Sequence, residues 1–363
     1  MIKFNVGARR PANDGARPEH TDFANDLVRR TLAQHGLLPK SDGGLGGITQ
    51  SSRSSMETVL DGFGRSLVAK DFSDPPLPDG AEFRRDVFAC AAGSRTYRTY
   101  VPSTAAKGIE GVVLMLHGCT QTPEDFAAGT GMNAIAEARR LIIIYPHQSR
   151  GENAQSCWNW FRRGDQKRDR GEPAILAGMV RKVMAEFDLP PGRTFVAGLS
   201  AGAAMAVILG ETYPDLFSAV GTHSGLPYGA AKDVPSAFEA MAGRRDLTVA
   251  PPAASPVPTI VIHGTADATV HVSNADRIGR AVIDRAGDMT IETETRSMVS
   301  GRDVHRSITT TIDGAPVLEQ WRIEGLGHAW SGGQPDGSYT DPAGPDASAE
   351  IVRFFFETAI RDR

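Results

Sequence analysis

The pentapeptide Gly198-Leu199-Ser200-Ala201-Gly202 constrains this chain more than any other stretch. Before it, Arg193-Thr194-Phe195-Val196-Ala197 has the character of a short strand. After it, Ala203-Ala204-Met205-Ala206-Val207-Ile208-Leu209 is a good helix former. A strand that turns at once into a helix through G-x-S-x-G strains the serine backbone and lifts its hydroxyl out of the sheet. The two glycines and Ala201 let strand and helix approach without a Cβ clash. Three fixed positions also recur by chance, but chance does not supply these flanks.

A serine hydroxyl at such an elbow needs a base, and the base needs an orienting carboxylate. On an α/β-hydrolase scaffold the chain order is Ser, then Asp or Glu, then His, which restricts the search to residues after Ser200. Thr259-Ile260-Val261-Ile262 reads as a buried parallel strand that runs into His263-Gly264-Thr265-Ala266-Asp267. An acid just past a strand's carboxyl end sits on the face where the elbow emerges. Asp267 is therefore the expected carboxylate. Asp246, in a charged loop, and Asp276, inside a predicted helix, read as solvated surface charge.

Three histidines follow Asp267: His271, His305 and His328. His328 lies in the glycine-rich Gly325-Leu326-Gly327-His328-Ala329-Trp330, after the strand-like Glu319-Gln320-Trp321-Arg322-Ile323. Such a loop can carry an imidazole over the elbow, so His328 is the expected base. His271 and His305 read as surface groups, and His223 and His263 as structural groups at strand ends. For the oxyanion, the buried strand Val112-Val113-Leu114-Met115-Leu116 leads into His117-Gly118-Cys119-Thr120-Gln121. One donor comes from the loop after such a strand and the other from the residue following the nucleophile. The backbone N–H groups of Cys119 and Ala201 are the expected pair, and one such donor contributes about 3 kcal/mol in measured cases.

Five blocks together carry a family resemblance. They are Leu116-His117-Gly118-Cys119-Thr120-Gln121, Ser156-Cys157-Trp158-Asn159-Trp160-Phe161, Gly198-Leu199-Ser200-Ala201-Gly202, His263-Gly264-Thr265-Ala266-Asp267 and Gly327-His328-Ala329-Trp330-Ser331-Gly332-Gly333. They resemble the polyhydroxybutyrate depolymerase family of esterases, allied to feruloyl and acetylxylan esterases, over residues 83 to 360. The resemblance implies the same Ser200, Asp267 and His328 and leaves the ester open.

Composition fits a globular enzyme, with 40% hydrophobic and 23% charged residues. A net charge of −4 gives no reason to expect nucleic acid or an anionic membrane as partner. No apolar run approaches the roughly 20 residues a bilayer span needs, so membrane insertion is not expected. The first ten residues lack the apolar core of a secretory signal, which points to the cytoplasm; a lost signal would place the protein in the periplasm or outside the cell. There is no C-x-x-C or H-E-x-x-H, so no metal is expected, and the chemistry needs no cofactor.

Of three cysteines, Cys119 and Cys157 lie in motif blocks near the expected active face. They are either a bridge pinning the oxyanion loop or two buried thiols. Cys90, near a hairpin turn, reads as unpaired. Trp158, Trp160 and Trp330 are either core residues or an aromatic substrate wall; their loops favour the wall.

The chain divides near residue 80. Residues 1–80 read as an N-terminal extension. Phe23, Leu27, Val28 and Leu32 make one apolar face of a short helix, which is a candidate for docking or self-association. Glycine- and serine-rich linker follows. Residues 81–363 read as the catalytic domain, a hairpin followed by alternating strands and helices. That pattern gives the α/β class: a mostly parallel central sheet flanked by helices. Helices are expected near 131–139, from Glu172-Pro173 to about Phe187, and over 347–360. A proline- and alanine-rich insertion is expected at 226–258. The expected activity is two-step acyl transfer on an ester, with hydroxyalkanoate oligomers, polyester or short-chain esters as substrate. Feruloyl or acetylxylan esters are the alternative. Amide hydrolysis, acyl transfer to a second alcohol, and a non-catalytic binding role rank below these.

Overall fold

The computed structural model describes residues 74–244, 256–286 and 290–359. The expected N-terminal helix, its linker and part of the 226–258 insertion lie outside the described residues.

β1 (Glu82–Cys90) and β2 (Gly93–Val101) form an antiparallel hairpin. β3 (Gly111–Leu116), α1 (Pro123–Thr130), α2 (Met132–Arg139) and β4 (Leu141–Pro146) follow. Then come α3 (Gly171–Glu186), β5 (Thr194–Leu199), α4 (Ala201–Thr212), β6 (Ala219–His223), α5 (Val234–Met241) and β7 (Thr259–Gly264). The chain continues through α6 (Ser273–Ala286), β8 (Thr290–Val299), β9 (Arg302–Thr311) and β10 (Pro316–Ile323). Two short strands, β11 (Trp330–Ser331) and β12 (Thr340–Asp341), precede α7 (Ala347–Ala359).

The large sheet has the order β1-β2-β4-β3-β5-β6-β7-β10-β9-β8. Its middle, from β4 to β10, is parallel throughout. Antiparallel pairs occupy both margins. The parallel strands read as unbroken apolar runs because both of their faces are covered. β3 shows this: Val112, Leu114 and Leu116 pack on one side of the sheet with α3 and α4, while Val113 and Met115 pack on the other with Phe354 and Phe355 of α7. α4 is buried from Ala201 through Gly210, so it is a core helix without a polar face over those ten residues.

One helix was absent from the sequence reading, and another starts earlier than expected. α1 was not anticipated, although Thr122-Pro123-Glu124-Asp125 signals it. Thr122 Oγ1 accepts the Asp125 N–H at 3.2 Å, Pro123 opens the helix, and Glu124 and Asp125 complement its positive end. α3 begins at Gly171, one residue before the expected Glu172, so Pro173 is its third residue.

Candidate active site

The strand ends share one level, and that level assembles the site. Leu116 of β3 is paired with Gly198 of β5, Leu199 with His223 of β6, His223 with Ile262 of β7, and Gly264 with Ile323 of β10. The loops carrying Cys119, Ser200, Asp267 and His328 therefore leave one edge of the sheet side by side.

Ser200 sits between β5 and α4 at φ 57°, ψ −118°, a left-handed region costly for any residue with a Cβ. Its N–H donates to the His223 carbonyl at 3.0 Å. The turn is possible because Gly202 has no side chain: a Cβ there would lie 2.0 Å from the Leu116 carbonyl oxygen. Ser200 keeps partial exposure, so its hydroxyl stays reachable.

Asp267 is buried and Oδ1 accepts the N–H groups of Thr269 at 2.9 Å and Val270 at 2.8 Å. Its Oδ2 accepts from His328 Nδ1 at 2.8 Å. His263 Nε2 lies 3.5 Å from the same oxygen, but its proton goes to the Val270 carbonyl at 2.8 Å. Burial works against ionisation of Asp267, yet the nearby His263 N–H and the bond from His328 outweigh it and hold the carboxyl well below its usual range. With Nδ1 engaged, His328 keeps Nε2 for another partner. Among the described residues no hydrogen bond joins it to Ser200, a separation often seen before substrate binds.

The Cys119 N–H has no hydrogen-bond partner among the described residues. Ala201 opens α4, so its N–H has no partner within the helix. Gly118 rests against the elbow, where a Cβ would lie 3.6 Å from the Leu199 carbonyl oxygen. Its N–H donates to Gln121 Oε1 at 2.9 Å. A disulfide joins Cys119 to Cys157 and resolves the alternative left open by the sequence. Cys90 is exposed and unpaired.

Behind this loop lies a polar network that the sequence reading did not find. His117 Nδ1 donates to the Gly118 carbonyl at 2.7 Å and Nε2 accepts the Gln148 N–H at 3.1 Å. Burial lowers its pKa to about 4, so the ring is neutral. Glu172 accepts from Gln148 Nε2 at 2.6 Å, from the Asn159 N–H at 2.7 Å and from Asn159 Nδ2 at 2.6 Å. Burial, reinforced by Asp165, raises Glu172 to about 7. Helix-start acids are so common that nothing in the sequence separated Glu172 from a surface one.

The expectation of an aromatic wall from Trp158, Trp160 and Trp330 is corrected. All three are buried, at 0%, 5% and 1% exposure. Trp158 turns inward and donates its indole N–H to the His117 carbonyl at 3.1 Å. Trp330 donates to Ser348 Oγ at 3.1 Å and stacks on His223, with ring centroids 5.2 Å apart. Trp160 packs edge-on against Phe161. Each indole does more for stability inside, where its N–H or its ring finds a partner, than it would at a wet surface. His271 and His305 lie away from Asp267: His271 Nδ1 pairs with Ser273 Oγ at 2.9 Å, and His305 Nε2 lies 3.3 Å from Glu294. Among the described residues no helix is long and apolar enough to cross a membrane, and no cluster of three acidic, histidine or cysteine side chains is placed to hold a metal ion.

A family described as esterase PHB depolymerase matches residues 95–304. Over 232 residues the chain is 34% identical to poly(3-hydroxyalkanoate) depolymerase C of Paucimonas lemoignei, covering 60% of this chain and 54% of that protein. Over 131 residues it is 30% identical to a probable acetylxylan esterase A of Aspergillus fumigatus, covering 36% of this chain and 34% of the relative. The chain thus spans about half the length of the first relative and about a third of the second. Among solved structures, an acetyl xylan esterase from Aspergillus awamori superposes with a TM-score of 0.55 at 18% identity, over 72% of this chain and 94% of that one. That likeness shows an α/β-hydrolase fold.

Proposed function

The chain belongs to the esterase PHB depolymerase family, and from that premise we propose that it is a serine carboxylic-ester hydrolase working through an acyl-enzyme. One observation carries the reading: a serine strained at φ 57° shares a sheet edge with a histidine whose Nδ1 is fixed by a buried, ionised aspartate. Ser200 Oγ attacks the ester carbonyl while His328 Nε2 takes its proton. The Cys119 and Ala201 amides receive the oxyanion. The carbon–oxygen bond to the alcohol then breaks, and His328 returns the proton to the departing oxygen. Water enters by the same route, His328 accepts its proton, and the acid leaves as Ser200 is reprotonated. Asp267 keeps the imidazole in the tautomer that has Nε2 free.

Hydroxyalkanoate oligomers or polyester are the proposed substrates, with short-chain esters accepted as well. The identity shared with the Paucimonas depolymerase supports this choice. The alternative, a carbohydrate acetyl or feruloyl esterase, draws support from the identity shared with the Aspergillus fumigatus relative. The Cys119–Cys157 bridge favours an oxidising compartment, so we place the protein in the periplasm or outside the cell, against the cytoplasmic expectation. The test is one panel: p-nitrophenyl esters of graded length, hydroxybutyrate oligomers, solid polyester, methyl ferulate and acetylated xylan, each with wild type and Ser200→Ala. Hydroxybutyrate oligomers should give the highest kcat/KM, and Ser200→Ala should abolish turnover of every ester. Preference for acetylated xylan would select the alternative. Undiminished turnover by Ser200→Ala would remove the serine mechanism itself.

A further inference from the structure

With the tryptophans withdrawn into the core, the exposed mouth of the site is bordered by another aromatic. Tyr339 stands edge-on to His328, ring centroids 6.5 Å apart and planes at 80°. Its hydroxyl lies 3.2 Å from Thr120 Oγ1, and this pair is exposed. Thr120 directly follows Cys119, the proposed oxyanion donor. The two hydroxyls therefore span from the oxyanion loop to the general base.

Both residues hold a backbone that disfavours them. Thr120 has φ 67° and Tyr339 has φ 52°, in the left-handed region that threonine and tyrosine rarely enter. Such conformations persist only where the surroundings over-determine them. Here they do. The Trp330 N–H donates to the Tyr339 carbonyl at 2.7 Å, and Trp330 pairs with Thr340 in the β11–β12 ladder. Ser338, just before Tyr339, donates its N–H to Asp125 Oδ1 at 2.7 Å, and its hydroxyl donates to Asp125 Oδ2. Gln121 Nε2 donates to the Ser338 carbonyl at 3.0 Å while Gln121 Oε1 holds the Gly118 N–H. One glutamine thus fixes the oxyanion loop and the Tyr339 loop together.

In a tetrahedral ester adduct the departing oxygen faces the imidazole that protonates it. A side chain beside that imidazole borders the alcohol portion and not the acyl portion. We propose that Tyr339, with Thr120, is the specificity-determining wall of the leaving-alcohol subsite, selecting alcohols that bear a further hydrogen-bonding group. The phenol and the threonine hydroxyl each retain donor or acceptor capacity beyond their mutual bond. A hydroxyacid chain or a sugar can use that capacity, and a plain alkyl alcohol cannot. The inference rests on the serine esterase reading above and narrows its substrate class.

The experiment keeps the acyl group constant and varies the alcohol. Wild type, Tyr339→Phe, Tyr339→Ala and Thr120→Ala are assayed on ethyl acetate, p-nitrophenyl acetate, 3-acetoxybutyrate and acetylated xylo-oligosaccharide. A second series keeps p-nitrophenol and lengthens the acyl chain from acetate to octanoate. Tyr339→Ala should reduce the preference for 3-acetoxybutyrate over ethyl acetate at least tenfold in kcat/KM and leave the acyl-chain ranking unchanged. Tyr339→Phe should lose activity only on the two polar alcohols. Equal loss on every ester in both series, or a change confined to the acyl series, would overturn the assignment. Should Tyr339→Ala not fold, Tyr339→Phe and Thr120→Ala carry the same comparison at near-native volume. Wild type inert on every ester of both series would defeat the esterase reading; active wild type indifferent to these changes would defeat only the subsite.

Discussion

Asp267→Asn is the sharpest single perturbation of the proposed mechanism, because the structure dictates which way the new amide must point. Oδ1 accepts two backbone N–H groups, from Thr269 at 2.9 Å and Val270 at 2.8 Å. An asparagine can serve those donors only with its carbonyl oxygen, so its NH₂ takes the place of Oδ2. That position faces His328 Nδ1 at 2.8 Å. Two donors cannot share a hydrogen bond, so Nδ1 must become the acceptor and the proton must move to Nε2. The imidazole then has the wrong tautomer to receive the Ser200 proton. Turning the amide over to rescue His328 leaves two backbone N–H groups facing a third donor, at a cost of about 1–3 kcal/mol for each lost partner. The substitution is nearly isosteric, so the fold should survive. The analogous change in a serine protease lowers kcat by about 10⁴, which is about 5.4 kcal/mol in barrier. We expect a similar loss here, read as kcat on p-nitrophenyl acetate with circular dichroism and thermal midpoint as controls. A folded variant retaining more than a tenth of wild-type kcat would show that Asp267 does not set the tautomer, and the reasoning would fail.

Three further outcomes follow from the same geometry. Gly202→Ala should cost at least about 3 kcal/mol in urea unfolding, because its Cβ would meet the Leu116 and His117 carbonyl oxygens at 2.0 and 2.6 Å; near-native stability would deny that β3 and α4 are so closely packed. Replacing Cys119 and Cys157 together by alanine should destabilise by up to about 4 kcal/mol, as expected for a loop closed at a sequence separation of 38, and should lower kcat through the loosened Cys119 amide; alkylation of Cys119 and Cys157, and not of Cys90 alone, in native wild type would refute the bridge. Acid should also weaken the fold. His117 and His223 are lowered to about 4 and about 3 by burial, so the unfolded chain takes up their protons first as pH falls below about 6.5, costing roughly 2–3 kcal/mol each by pH 4.5. Glu172, raised to about 7, acts oppositely: its contribution is full below about 4.5 and lost as pH rises through 7, which offsets one histidine. Urea unfolding at pH 7.0 and 4.5 should therefore show a net loss of roughly 2 kcal/mol, and His117→Gln should lessen it; equal stability at both pH values would contradict the assignment.

The elbow was legible because its requirements are local. A strand, two glycines and a helix lie within about twenty residues, and φ 57° at Ser200 follows from that short-range pattern. The pairing of Asp267 with His328 was legible through chain order and strand ends, despite a sequence separation of 61. The tryptophans misled because a loop aromatic carries no mark of the side to which it turns. The His117 carbonyl and Ser348 Oγ decide that, and neither is a neighbour in sequence. Tyr339 was invisible for the same reason, since its partner Thr120 is 219 residues away. α1, by contrast, was missed with its signal in plain view at Thr122-Pro123-Glu124.

The nucleophile and the base reach the site from separate strands, and one residue that takes no part in the chemistry is hydrogen-bonded to both of their loops. The His223 carbonyl holds the Ser200 N–H at 3.0 Å, and its Nε2 holds the Ser331 N–H at 3.1 Å, three residues beyond His328. His223 is thus a fixed gauge for the gap that Ser200 and His328 must close, and neutral imidazole is the only protonation state in which the gauge keeps its length. The reach of the proton transfer is machined into β6, out of contact with solvent and substrate, so the loops above can be reshaped for new esters while that distance stays as it was.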